Sequence, residues 1–181
     1  MEPISSSFFV YEVLMMEELF MCDMIANLTT MPPMPQLPEG VELKRAQAAE
    51  KRAILDYVEK NFSDAWYGEV DVALSSCPAR CILAVKDEKL IGFSCWDVAA
   101  KGFFGPIGVE ESLRGTGIGT ALLIRTLEYM RDDGYGYAII GWVDKAAPFY
   151  QKTIGAEFIR GGEPQNSVYS NMIQKRWLGH K

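Results

Sequence analysis

A glycine-rich run, Arg114-Gly115-Thr116-Gly117-Ile118-Gly119-Thr120, joins the apolar stretch FFGPIGV to a helical pattern with core face Leu122, Leu123, Leu127 and Met130. A turn at Gly134 to Gly136 and the continuous apolar run YAIIGWV follow. Strand, helix and strand joined in this way close by a right-handed crossover, so the strands at 103–109 and 137–143 are expected to be parallel. The rest of the chain reads as antiparallel. VELKR begins a strand at Val41, and the spacing of Ala46, Ala49, Ala53, Ile54, Tyr57 and Val58 predicts a helix. RCILAVKD and KLIGFSCWD read as a hairpin turning at Asp87 to Lys89, with a looser segment around Trp66 and Tyr67 before it. A short helix from Ala146 stops at Gly155, and AEFIR is expected to pair with SVYSNMI as a terminal hairpin. The predicted fold class is α+β (α/β layered), a mixed β-sheet flanked by helices.

At 181 residues with 49% hydrophobic content, the chain has room for one domain and an appendage. A chain of this size buries about 70% of its unfolded surface, so it folds without help from disulfides or a structural metal. The net charge of −6 argues against a nucleic-acid partner, which needs a basic face. No uncharged apolar stretch reaches the length of a bilayer span, so no membrane partner is expected. The charge is uneven. Residues 1–43 hold seven acids and no Lys or Arg, leaving 17 acids against 18 bases in a nearly neutral body. Such a start lacks the basic region of a secretory or transit signal, and a cytoplasmic location is expected.

Pro32, Pro33, Pro35 and Pro38 mark an extended linker, which sets residues 1–38 apart as an acidic, Met-rich arm and linker before a domain at 39–181. Within the arm, FFVYEVLMMEELFMCDMI is a poor amphipathic helix because its acids do not share one face; it reads as a helix packed on both sides or, in part, as a strand. The arm could cover an acceptor cleft, mediate a homodimer or pack against its own sheet. The four cysteines have no regular spacing, and Cys77 and Cys81 read as packed thiols rather than a metal pair. With a single histidine, His180, and no regular cysteine framework, the ligands are too few for zinc and no metal is expected; the lone histidine also excludes a Ser-His or Cys-His hydrolase, so proton transfer falls to carboxylates, tyrosine, lysine or water.

The chemistry concentrates in Arg114 to Thr120. The first turn of a helix has unpaired N–H donors at its positive end, glycines let backbone amides converge, and Arg114 adds charge, which together suit a diphosphate. A dinucleotide fingerprint does not fit, because its third glycine would fall on Thr120 or Leu122, and no Gly-Lys-Ser/Thr triplet exists for a P-loop. A glycine-rich helix cap is the plain alternative.

These residues resemble the cofactor motif of the GNAT acetyltransferase superfamily: Arg or Gln, two residues, Gly, one residue, Gly or Ala, matched by Arg114, Gly117 and Gly119. A second anchor, APFYQKTIGAEF, is similar to the family's next helix and strand through Phe149, Tyr150, Lys152, Gly155 and Phe158. The resemblance covers about Val41 to Met172 and implies a centrally splayed sheet with acetyl-CoA, the acetyl donor, where the strand ending at Val109 parts from that ending at Val143. Gly105-Pro106 suits a splay, since proline offers no ladder donor and glycine tolerates a bulge. The resemblance places backbone groups at Ile107, Gly108 and Val109 on the pantetheine and thioester. It places the amides of Arg114, Gly115, Thr116, Gly117, Ile118, Gly119 and Thr120 on the diphosphate, with Tyr150 beside the cofactor.

The implied reaction is direct transfer of acetyl to a primary amine of a small molecule or peptide. A lysine-like amine is neutral only about once in 2,500 at pH 7, so a base or water relay is needed, and the departing thiolate needs an acid. Tyr150 is the candidate acid and Asp97 the candidate base. Asp64, Glu69 and Asp71 are further base candidates, each, like Asp97, more often a solvated surface acid, while Glu110 and Glu111 favour a turn. Trp66, Tyr67, Trp96 and Phe104 either line the acceptor pocket or fill the core. One departure stands out: an asparagine common before the Phe-Tyr helix is replaced by Val143 and Asp144, and Asp144 is a candidate cap for that helix. The competing expectations are an acyl-CoA-binding sensor of weak or no activity and a structural protein with no cofactor.

Overall fold

The computed structural model describes residues 21–172. Its elements, in chain order, are β1 (Cys22–Asn27), β2 (Val41–Arg45), α1 (Lys51–Asn61), α2 (Asp64–Leu74), β3 (Cys81–Lys86) and β4 (Lys89–Trp96). They continue with β5 (Phe103–Val109), α3 (Ile118–Asp132), β6 (Tyr137–Val143), α4 (Ala147–Ile154) and β7 (Glu157–Phe158). The strands form one sheet in the order β2-β3-β4-β5-β6-β1-β7. All neighbours are antiparallel except β5 and β6, which pair in parallel through Phe103 with Ile139 and Phe104 with Ile140. The crossover through α3 therefore has the geometry that the glycine-rich junction implied. The fold is the expected layered α+β arrangement around a mixed sheet.

Strand alternation divides the core between the two faces of the sheet. On β3, Ile82 and Ala84 point to the α3 face with Met24, Ile91, Leu122 and Leu127, whereas Cys81 and Leu83 join Ile54, Val58, Val70 and Phe93 beneath α1 and α2. Helix α3 carries the larger burial. Its Leu122, Leu123, Leu127 and Met130 are fully enclosed, and burying each such side chain is worth about 1.5–3 kcal/mol. Among the described residues, no helix is long and apolar enough to cross a membrane.

Helix α2 is absent from the sequence reading. Its helical start is set by Ser63, whose hydroxyl accepts from the Trp66 amide, but its buried residues are only Val70, Ala73 and Leu74. Three buried positions bunched at one end make too short a stripe to announce a helix.

The arm, set apart as an appendage that in part could be a strand and could pack against its own sheet, contributes a strand to that sheet. Residues 8–20 of the apolar segment lie outside the described residues, but Cys22–Asn27 form β1 between β6 and β7. Met24 and Ala26 alternate into the α3-side core, and both, with Cys22, are almost fully buried. The proline-rich stretch then runs without regular structure to β2 at the opposite edge of the sheet, with Met31 and Leu37 packed on the α3-side core.

This placement of β1 overturns the terminal hairpin. AEFIR yields only the two-residue β7, which pairs with β1 through Met24 with Phe158 and Ile25 with Glu157. Val168–Asn171 of the expected partner form a 3-10 turn instead. The physical reason lies at Asp23. Its amide donates to Gly162 O (2.8 Å) and its carbonyl accepts from Ile159 N (2.9 Å), and its carboxylate accepts from Ser167 Oγ (3.0 Å). Asp23 thus holds the segment around Ile159 and Gly162 against β1 and ties Ser167, the residue before the 3-10 turn, to the same strand.

Candidate active site

Strands β5 and β6 separate just past Phe104 and Ile140, and each has an irregularity at that point. On β5, Gly105 and Pro106 stand opposite Cys95 alone, between the pairs Trp96–Phe104 and Ser94–Ile107. On β6, Gly141 and Trp142 stand opposite Asp23 alone, between Met24–Ile140 and Cys22–Val143. Two bulges facing one another bend the strands apart, because each extra residue breaks the ladder and increases local twist. The opening leads into a cavity of about 720 Å³.

One end of the cavity is built by the glycine-rich run. Arg114, Gly115 and Gly119 line it, together with Ile107 and Val109 of β5 and Phe149 and Tyr150 of α4. Gly117 precedes α3 at φ 92, a left-handed conformation that glycine adopts without a Cβ penalty. A Cβ at Gly119 would meet only Val109 Cγ2 at 3.7 Å and Phe149 Cζ at 4.0 Å, so a larger side chain would project into the space above the helix. The Thr116 hydroxyl donates to Leu113 O (2.7 Å) and braces the loop. Thr116, Gly117, Ile118 and Thr120 are not among the lining residues, and the Ile118 side chain is buried in the core. Gly108 faces away from the cavity, where a Cβ would come 2.6 Å from the Phe62 ring. An exposed helix start, an arginine and a missing side chain at Gly119 fit a diphosphate by form and charge.

Tyr150 is 6% exposed, lines the cavity and packs edge-on against Phe104 at 6.2 Å. Burial raises its phenol above the ordinary value, and the nearby Asp144 charge adds to the effect. The group therefore stays protonated through neutral pH. Asp144 also lines the cavity, but it is not a side-chain cap: α4 starts from Ala146 with no side-chain cap bond, and the Asp144 carbonyl accepts from Ala147 N (3.0 Å).

Asp97 is elsewhere. It does not line the cavity, and its side chain is 1% exposed. Its carboxylate accepts from Gly102 N (2.7 Å), Tyr135 Oη (2.8 Å), Lys101 Nζ (3.3 Å) and Arg80 Nη1 (3.3 Å). A carboxylate so committed ties the β4–β5 turn together and is poorly placed to take a substrate proton. Asp71 is paired with Lys51 (2.7 Å), and neither Asp64 nor Asp71 lines the cavity. Trp96 is a core residue, stacked on Tyr129 with Arg45 over its ring, and Tyr67 is exposed.

The other end of the cavity is aromatic. Trp66 and Glu69 of α2, Phe104 of β5, Trp142 of β6 and Tyr169 converge there. Tyr169 Oη donates to Glu69 Oε1 (3.3 Å), and its ring lies 4.9 Å from that of Trp142. Gly141 makes room for it, since a Cβ there would come 2.5 Å from Tyr169 Cε2. Burial raises the Glu69 carboxyl to about 7, with the Tyr169 hydrogen bond pulling the other way. Trp142 and Tyr169 had no signal in the sequence, because both are positioned by Asp23, which accepts from Trp142 N (2.9 Å) and from Ser167.

Comparison with known proteins gives this geometry a family. A sequence profile of the acetyltransferase (GNAT) family matches residues 44–156. A mycothiol acetyltransferase of Thermobispora bispora is 31% identical over 146 residues, spanning 66% of this chain and 46% of that protein. The chain thus spans about half the length of this curated relative. Among solved structures, a GCN5-related N-acetyltransferase from Sphaerobacter thermophilus has a TM-score of 0.57 at 22% identity, over 83% of this chain and 53% of its own. The GCN5-related glucosamine N-acetyltransferase region of a fungal multi-domain GH3 β-N-acetylglucosaminidase has a TM-score of 0.61 at 14% identity, over 88% of this chain and 22% of its own. With a profile match across more than half of its length and a splayed sheet opening onto the start of α3, the chain belongs to the GNAT acetyltransferase family.

Proposed function

We propose that the protein transfers the acetyl group of acetyl-CoA to a primary amine by direct attack within the cavity between β5 and β6. The observation that carries this reading is the continuity of one cavity from Arg114, Gly115 and Gly119 to the buried Tyr150 and on to the aromatic end. Arg114 and the first-turn amides of α3 hold the diphosphate, and the β5 edge at Ile107 and Val109, freed from β6 beyond Phe104, offers backbone groups to the pantetheine. Acetyl-CoA supplies the activated acyl group. Tyr150, held protonated by burial, gives a proton to the sulfur as the carbon–sulfur bond breaks. Asp97 has no part in this reading, because its four partners hold it outside the cavity.

Calorimetric titration with acetyl-CoA and CoA, followed by thiol release over a panel of primary amines, tests the proposal. Binding with amine-dependent release is expected. Binding without release would favour an acyl-CoA sensor, and failure to bind either ligand would overturn the reading.

A further inference from the structure

The charged residues among those lining the cavity are Glu69, Arg114 and Asp144. Arg114 lies in the loop before α3, and Asp144 follows β6 and influences Tyr150. Glu69 belongs to the aromatic end, beside Trp66, Trp142 and Tyr169. Among the described residues, the groups facing it from the surrounding elements are uncharged. The 3-10 turn contributes the Tyr169 hydroxyl, and β4 the Cys95 thiol, which burial and the neighbouring Cys81 of β3 push up. Strand β5, FFGPIGV, holds no titratable residue. On α1, Lys51 is spent on Asp71, and Asp23 of β1 is turned to Trp142 and Ser167. Among the described residues, no cation pairs with Glu69.

A carboxylate in a wall of aromatic rings attracts an ammonium twice, through its own charge and through the negative faces of the rings. It repels an acceptor that has its own acid group next to the nitrogen, and the described part of this end offers no cation to compensate.

Resting on the acetyl-transfer reading, we propose that the acceptor is a primary amine on a flat apolar body with no acid group beside the nitrogen, seated against Glu69, which removes its proton. The ammonium gives one proton to Glu69, which passes it to solvent. The freed nitrogen forms a bond to the acetyl carbon, and the carbon–sulfur bond breaks with its electron pair going to sulfur. The second departing N–H proton replaces the one that Tyr150 delivers to the sulfur, so one proton is released for each amide formed. Tyr169 is a positioning residue. Its hydroxyl orients Glu69 Oε1 and stabilises the ionised form, which keeps the base available near neutral pH.

The test uses the full chain with acetyl-CoA and two probes of the same body, phenethylamine and phenylalanine, read by CoA thiol release. Phenethylamine should be acetylated with a kcat/KM at least about tenfold above that of phenylalanine. Glu69→Gln should lower kcat/KM for phenethylamine by about a hundredfold or more, with acetyl-CoA affinity near wild type and no loss of thermal stability. Tyr169→Phe should move the acidic limb of the wild-type pH–rate profile upward, a change that a merely structural role would not produce. Phenylalanine used as well as phenethylamine, no turnover of phenethylamine, or wild-type rates in Glu69→Gln would each overturn the proposal while measured acetyl-CoA binding leaves the acetyl-transfer reading standing. No acetyl-CoA binding by the wild type would overturn both.

Discussion

Tyr150 and Glu69 both have raised proton affinities from burial, yet the consequence differs with the chemistry of each group. A phenol pushed up remains an acid that can donate, whereas a carboxyl pushed to about 7 is divided between its two forms near neutral pH. Replacing Tyr150 with Phe keeps the ring against Phe104 and removes only the hydroxyl, so kcat should fall by about a hundredfold with acetyl-CoA affinity unchanged. Single-turnover rates beside a binding titration check this. Glu69 also makes a stability prediction. Its folded pKa lies above its unfolded value, so the folded state binds the proton more tightly. The stabilisation is full below the ordinary carboxyl range and is lost as the pH rises through about 7. Thermal unfolding of Glu69→Gln against wild type should therefore show the variant gaining relative stability between about pH 5 and pH 8.

Among the elements, the start of α3 and the bulge of β6 decide what the cavity can hold. Gly119 has space on its cavity side bounded by Val109 and Phe149. Gly119→Val should therefore fill the proposed diphosphate cradle without strain in the helix, raising the acetyl-CoA Kd at least about tenfold while the unfolding free energy changes by less than about 1 kcal/mol. The bulge at Gly141 and Trp142 depends on a different strand. Asp23 accepts the Trp142 amide and the Ser167 hydroxyl, and so links β1, β6 and the turn that holds Tyr169. Asp23→Ala would leave those donors without their acceptor in a buried site, at a cost of about 2–4 kcal/mol. A lowered denaturant midpoint with an unchanged slope, together with loss of acceptor turnover, is the expected result.

At the scale of the whole molecule, β1 closes the sheet between β6 and β7. Deleting residues 1–38 would remove that strand, expose two edges and empty the place of Met24 in the core. The shortened chain should lose cooperative unfolding and accumulate as aggregate, which calorimetry and size-exclusion chromatography would reveal. The parts of the fold legible from the sequence were those encoded locally: the β3–β4 hairpin, the crossover through α3 and the helix start at Gly117. Each rests on neighbouring residues, through turn chemistry, period or backbone freedom. The same holds for the proposed cofactor end of the cavity, where Arg114 to Gly119 are contiguous. The aromatic end was not legible, because Glu69, Trp142 and Tyr169 come from three distant segments and meet only after Asp23 has set the bulge and the turn. Asp97 shows the converse: as an acid at a strand end it had the look of a base, until the fold surrounded it with Arg80, Lys101, Tyr135 and the Gly102 amide. Short-range sterics and hydrogen bonding therefore wrote the glycine-rich start of α3 into the chain itself, while long-range strand pairing chose which carboxyl group faces the cavity.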